Sequence, residues 1–221
     1  MRSADEIEAL GRPPQSLWDR ILAEPDRAPE HIALAAAARF GPAAQEWVAI
    51  AGPGHTPEEL AKMAHTKHVR LARLEGAALG VGGVVTAAPD LVALLWIESR
   101  MTFYIAAAYG YDARHPMRPA ELLFLLDLYP TAAQAREALD GVGKHLAQAA
   151  AERAMRSGDQ TRLHTKLARY LAKRLAYRGL GRLVPVIGAP IGAIQNGGAT
   201  KELGRRALTY YGGDLSTQAR P

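Results

Sequence analysis

"GAALGVGGVVTAAPDLVALLWI", residues 76–97, decides how the rest of the chain is read. The stretch is almost wholly apolar, and a bilayer-spanning helix takes about 20 apolar residues with few charges. It also carries Pro89 and Asp90 near its middle, and glycines at 76, 80, 82 and 83. A central aspartate costs roughly 2.5–3.5 kcal/mol on insertion scales, and alanine and glycine offset little of that. Pro89 removes a backbone donor and disfavours helix at the residue before it. Asp90 then falls where a carboxylate favours a helix N-terminus. The stretch therefore reads as the end of one helix, a tight break, and the start of another running to about residue 108. Gly76 and Gly80 are four apart, as are Gly188 and Gly192, so each pair makes one smooth face that permits close helix–helix approach. Such hairpins either pack in a soluble core or dock on a bilayer.

The composition narrows the classes. With 221 residues, 48% of them hydrophobic, the chain can bury one sizeable core. A mean hydropathy of −0.11 argues against a polytopic membrane protein. The absence of cysteine excludes a disulfide scaffold, an iron–sulfur cluster, a thiolate zinc site and a cysteine nucleophile. The opening "MRSADEIEALGRPPQ" has early acids and no apolar run, so a cytoplasmic chain is expected, associated at most peripherally with a membrane. A net charge of +5 favours an anionic partner. Nucleic acid is disfavoured, because the few aromatics are not interleaved with basic residues as stacking platforms would be.

Alanine and leucine dominate and the periodicity is helical throughout, which predicts an all-α, single-domain bundle. Short helices are expected at 16–23, 29–40 and 42–50, separated by "EP", "AP" and "GP" breaks, with a linker at "AGPGH", 51–55. Thr56, Pro57 and Glu59 form a helix start, with Thr56 as N-cap and Glu59 completing a capping box. A loop at 109–119, helices at 119–128 and 131–156, a basic helix at 160–178 and a last helix ending near "ALTYYGGD" complete the expectation. A faint internal repeat pairs "HTK" at 65–67 with "HTK" at 164–166, Pro89 with Pro190 and "YGYD" with "YGGD". It predicts two glycine-rich hairpins packed face to face.

Two constellations bear on function. Arg162, Lys166, Arg169 and Lys173 step at i, i+4, i+7 and i+11 beside a leucine stripe, which makes either a solvated face or a surface for anionic lipid. Charges also sit in or next to apolar helices: Asp90, Glu98, Arg100, Asp127, and Asn196 with Lys201 after the second glycine stretch. Buried charges need partners. These residues make either a register-fixing salt-bridge network or a polar cluster lining an apolar pocket, where Asp90, Glu98 and Arg100 are the candidates for acid–base chemistry. His65 and His68 share a helical face without an evident third ligand, so no metal site is assigned. "LGVGGVV" fails the dinucleotide pattern, "GGATKE" fails the P-loop pattern, and no G-x-S-x-G elbow is present, so no cofactor is implied.

The ordered set of a glycine-rich break, Pro-Asp, an apolar helix with Glu98 before Arg100, a "YG-D" turn, "P-x-x-G-x-x-x-G-x-x-x-N" and "A-x-x-Y" resembles the EcsC protein family over about 56–212. On that resemblance Asp90, Arg100, Tyr109, Gly110, Gly188, Gly192, Asn196, Thr200 and Tyr210 are the shared positions. The resemblance implies an all-helical domain, and the expected organisation is an N-terminal helical extension at 1–55, the EcsC-like helical domain at 56–215 and a disordered tail at 216–221. It supplies no reaction. The expected function is binding of lipid or a membrane surface through Arg162, Lys166, Arg169, Lys173, Asn196 and Lys201. The alternatives are an enzyme or carrier for a hydrophobic small molecule, or a helical adaptor for a membrane protein such as an ABC transporter.

Overall fold

A computed structural model of the chain describes residues 12–79, 87–142 and 189–213, with side chains at 12–74, 92–142 and 198–213. Every regular element among the described residues is helical, so the fold is all-α: α1 (Gln15–Ala23), α2 (Ala28–Ala51), α3 (Pro57–Leu79), α4 (Ala87–Ala108), α5 (Arg118–Leu125), α6 (Ala132–Asp140) and α7 (Ala189–Gly212). A 3-10 turn at Pro25–Arg27 joins α1 to α2.

The start of α3 follows its sequence. Thr56 N–H donates to Glu59 Oε2 at 2.8 Å and Glu59 N–H donates to Thr56 Oγ1 at 3.3 Å, so two orphan donors of the first turn are satisfied reciprocally. The same amide bond, with the Thr56 hydroxyl, holds the Glu59 carboxyl below its ordinary range. The end of α4 is equally local. Gly110 takes φ +85°, Tyr111 N–H donates to Ala106 O at 3.1 Å and Gly110 N–H to Ala107 O at 2.9 Å, a Schellman cap that needs glycine at the left-handed position. Asp112 then turns the chain by accepting from Arg114 N–H at 3.0 Å.

Two expected boundaries are corrected. The "GP" at 41–42 does not break α2, which runs unbroken from Ala28 to Ala51 with Pro42 inside. The carbonyl that Pro42 leaves without a donor belongs to Ala38, and both residues are exposed, so water can replace the lost bond. The opposite face of α2 stays buried through Ala33, Ala36, Phe40 and Ala44. Gly41 is retained for closeness: a Cβ there would stand 2.8 Å from the Ala113 carbonyl oxygen. The second correction concerns 131–156, where α6 ends at Asp140 and Gly141 caps it.

Helix α4 packs against α2, α3 and α7 and supplies the centre of the core with Val92, Leu95, Trp96, Met101, Phe103 and Ile105. The most extensive pairing is α3 with α7. Helix α7 presents Thr200, Leu203, Ala207 and Tyr211 inward at i, i+3, i+7 and i+11, all 2% exposed or less. One core cluster joins Leu17, Ile21, Ile32 and Phe40 to residues of α3 to α7, so residues 17–44 share their core with the rest of the fold. Segments 80–86 and 183–188 and the basic stretch 160–178 lie outside the described residues, and with them the glycine hairpins and the internal repeat. Their flanking helices α3 and α7 lie side by side. Among the described residues, no helix is long and apolar enough to cross a membrane.

Candidate ligand groove on the third helix

Helix α3 divides into two faces. Leu60, Ala61, Ala64, His68 and Ala72 are buried, whereas Met63, Lys67, Arg70 and Leu74 recur at i, i+4, i+7 and i+11 and are exposed. Met63 is 45% exposed and Leu74 68%, large values for apolar side chains set among cations. Lys62 and Arg73 flank the stripe and are exposed as well. None of Lys62, Lys67, Arg70 and Arg73 has a carboxylate within ion-pair distance among the described residues.

A groove of about 850 Å³ runs along this face. Trp47 from α2 and Tyr104 from α4 wall it, and their rings stand 5.3 Å apart. Lys62, Lys67 and Arg70 line it with Met63 and Leu71, and Glu59 and His55 lie at the helix-start end. Burial lowers the pKa of the Lys67 ammonium, and the nearby Arg100 guanidinium lowers it further. Two neighbouring cations of this kind favour an incoming anion.

His68 belongs to the lining and is fully buried. Its Nδ1–H donates to the Ala64 carbonyl at 2.7 Å, which fixes the tautomer and leaves Nε2 as a bare acceptor. Nε2 has no partner among the described residues. Burial depresses the imidazole pKa to about 3, so the ring is neutral at physiological pH. The His68 ring meets Tyr104 edge-on at 5.4 Å, and the Arg100 guanidinium lies 5.4 Å from the same Tyr104 ring and 5.8 Å from Phe40. Arg100 thus sits behind the groove wall, its charge held by two aromatic faces.

The residues singled out from the sequence separate into several places. Glu98 is fully buried, and its Oε1 accepts from Thr200 Oγ1 of α7 at 3.3 Å. That contact joins two positions of the resemblance across 102 residues. Glu98 therefore ties α4 to α7, while Arg100 faces α2 and the groove wall. Lys201 is exposed on α7. Asp90 and Asn196 lie in α4 and α7, but their side chains, and Arg162, Lys166, Arg169 and Lys173 altogether, fall outside the described residues. Asp127, read as a charge inside an apolar helix, is instead past the end of α5 at φ +58°, 68% exposed and paired with Arg206 at 2.5 Å. Among the described residues, no cluster of three or more metal-ligating side chains occurs.

Sequence reasoning missed the anchor at the other end of α7. Tyr211 O–H donates to Glu121 Oε2 at 2.7 Å, Glu121 pairs with Arg118, and the Arg118 guanidinium lies 5.0 Å from the Tyr111 ring. Burial raises the Glu121 pKa above the usual carboxylate range, against the pull of Arg118. Tyr210 of the "A-x-x-Y" motif, by contrast, is 38% exposed and meets the Phe124 ring at a tilt of 54°. The step of Ala207, Tyr211 by four was the available signal for Tyr211, since it places that ring on the buried face.

The fold and groove define an all-helical protein with a cationic, aromatic-walled groove. The chain belongs to the EcsC protein family, whose model matches residues 55–212. It is 27% identical over 165 residues to the uncharacterized protein YdbA of Bacillus subtilis (strain 168), a match covering 70% of this chain and 56% of that protein. The chain thus spans little more than half the length of that curated relative. No solved structure matches.

Proposed function

We propose that this EcsC-family chain binds anionic lipid at a membrane surface, with the exposed face of α3 and its groove as the docking site. The observation that carries the reading is the stripe of Met63, Lys67, Arg70 and Leu74, where exposed apolar side chains flank two cations that have no ion-pair partner among the described residues. Apolar side chains at such a face enter the head-group region while lysine and arginine meet lipid phosphates. Each cation near an anionic surface contributes about 1 kcal/mol. The net charge of +5 supports the same partner.

Vesicle co-sedimentation tests the reading. The chain is expected to bind phosphatidylglycerol-containing vesicles and to leave pure phosphatidylcholine vesicles in the supernatant. The double variant Lys67→Gln/Arg70→Gln should lose roughly 30-fold in affinity if two cations are removed at about 1 kcal/mol each. Equal binding to both vesicle types overturns the reading.

A further inference from the structure

We infer that the groove selects a lipid head group bearing a hydrogen-bond donor beside its negative charge, and that His68 Nε2 is the acceptor that reads the donor. This rests on the lipid-binding reading above and adds a head-group preference to it. The Ala64 carbonyl occupies the Nδ1–H of His68, so the other ring nitrogen offers only a lone pair. No described protein group donates to it, although the ring is 0% exposed and belongs to the groove lining. A buried acceptor is costly to leave without a donor, and a site built that way discriminates strongly for ligands that bring one. The cations around it point to the same kind of molecule: Lys67 is the preceding residue, Arg70 lies in the same lining, and Arg100 stands behind Tyr104.

The ring is closed off from bulk water, so docking requires that a side chain of the lining move aside to admit the head group. The phosphate then lies between Lys67 and Arg70, and a hydroxyl carried on the head group donates to His68 Nε2. Glycerol and inositol head groups carry such a hydroxyl. A methyl phosphodiester of equal charge does not.

The test compares vesicles of phosphatidylcholine containing equal mole fractions of either phosphatidylglycerol or phosphatidylmethanol, which share their charge and differ in the donor. The wild-type chain is expected to bind the phosphatidylglycerol vesicles roughly five- to tenfold more tightly, the effect of one net hydrogen bond. His68→Phe, which keeps a ring against Tyr104 and lacks the acceptor, should bind both equally and still prefer either to phosphatidylcholine. His68→Gln, whose amide oxygen can reach the Nε2 position, should restore part of the preference. Equal binding of the two anionic vesicles by the wild-type chain overturns this inference and leaves the lipid-binding reading standing. A preference retained in His68→Phe overturns the assignment to His68. Failure of the wild-type chain to prefer either anionic vesicle over phosphatidylcholine overturns both.

Discussion

Gly204 of α7 lies so close to His65 of α3 that a Cβ on it would stand 2.3 Å from His65 Cδ2, with Met101 Sδ at 3.1 Å on the other side. The bare face at Gly204 thus lets the His65 ring lie directly against α7 in the α3–α7 pairing. Gly198, nearly two turns earlier on the same helix, is exposed, and a Cβ on it would meet nothing within 4 Å. The same substitution should therefore act with opposite signs at the two sites. Gly198→Ala is expected to stabilise by about 0.5–1 kcal/mol through helix propensity. Gly204→Ala should lose that gain to overpacking of roughly 1–3 kcal/mol and melt at a lower temperature than the wild type. Thermal melts of the two variants, run side by side, check this.

Pro42 offers a test of the unbroken α2. A proline inside a helix costs about 3 kcal/mol relative to alanine, part of which it returns by stiffening the unfolded chain. Pro42→Ala is expected to raise denaturant resistance by at least about 1 kcal/mol, because residue 42 is exposed and its N–H would regain the Ala38 carbonyl. A loss of stability would show that the proline shapes the helix rather than burdening it.

His68 makes stability depend on pH. Its folded pKa of about 3 lies below the ordinary value of 6.5, so the unfolded chain binds more protons between those values. The contribution is present in full above pH 6.5 and is lost as the pH falls toward 3. Between pH 7 and pH 5 it should fall by about 2 kcal/mol. His65, lowered mainly by burial, acts in the same direction. Glu121, whose pKa is raised, acts oppositely: its contribution is present below the ordinary carboxylate pKa and is lost as pH rises through the folded value. Chemical denaturation of the wild type and His68→Phe at both pH values isolates the His68 share, and parallel curves for the two chains would contradict it.

Local chemistry is legible in the sequence and tertiary chemistry is not. The Thr56–Glu59 box and the Gly110 cap depend on residues within five positions of one another, so their sequence signals need no knowledge of the fold. Pro42 misleads because a proline breaks a helix only when nothing compensates, and the compensation, an exposed carbonyl on one face and an alanine ridge on the other, is set by packing. Asp127 misleads because Leu126 ends the apolar run of α5, and the next residue already leaves the helix at positive φ. The groove is illegible for a sharper reason. Met63, Lys67, Arg70 and Leu74 have the same spacing as the all-cationic stripe at 162–173, but two of the four are apolar and read as core. Their exposure, and the unpartnered state of His68 Nε2, exist only once α2 and α4 have taken their places.

Ionic strength gives a further check on docking. Exposed charges are screened over about 10 Å at 0.1 M salt. Affinity for phosphatidylglycerol vesicles should fall steeply between low and high salt in the wild type and much less in Lys67→Gln/Arg70→Gln. Parallel salt dependence in the two chains would place the contact elsewhere on the surface.

Tryptophan quenching shows whether lipid is met at the groove on α3. Of the three tryptophans, Trp47 walls the groove, Trp96 is 1% exposed in the core, and Trp18 is half-buried on α1 and not part of the groove lining. Vesicles of phosphatidylglycerol brominated in the acyl chain near the head group should quench the fluorescence of the bound chain, and Trp47→Phe should abolish most of that quenching while leaving binding in place. Quenching that is undiminished in Trp47→Phe, or absent from a wild-type chain bound to the vesicles, would contradict docking at the groove.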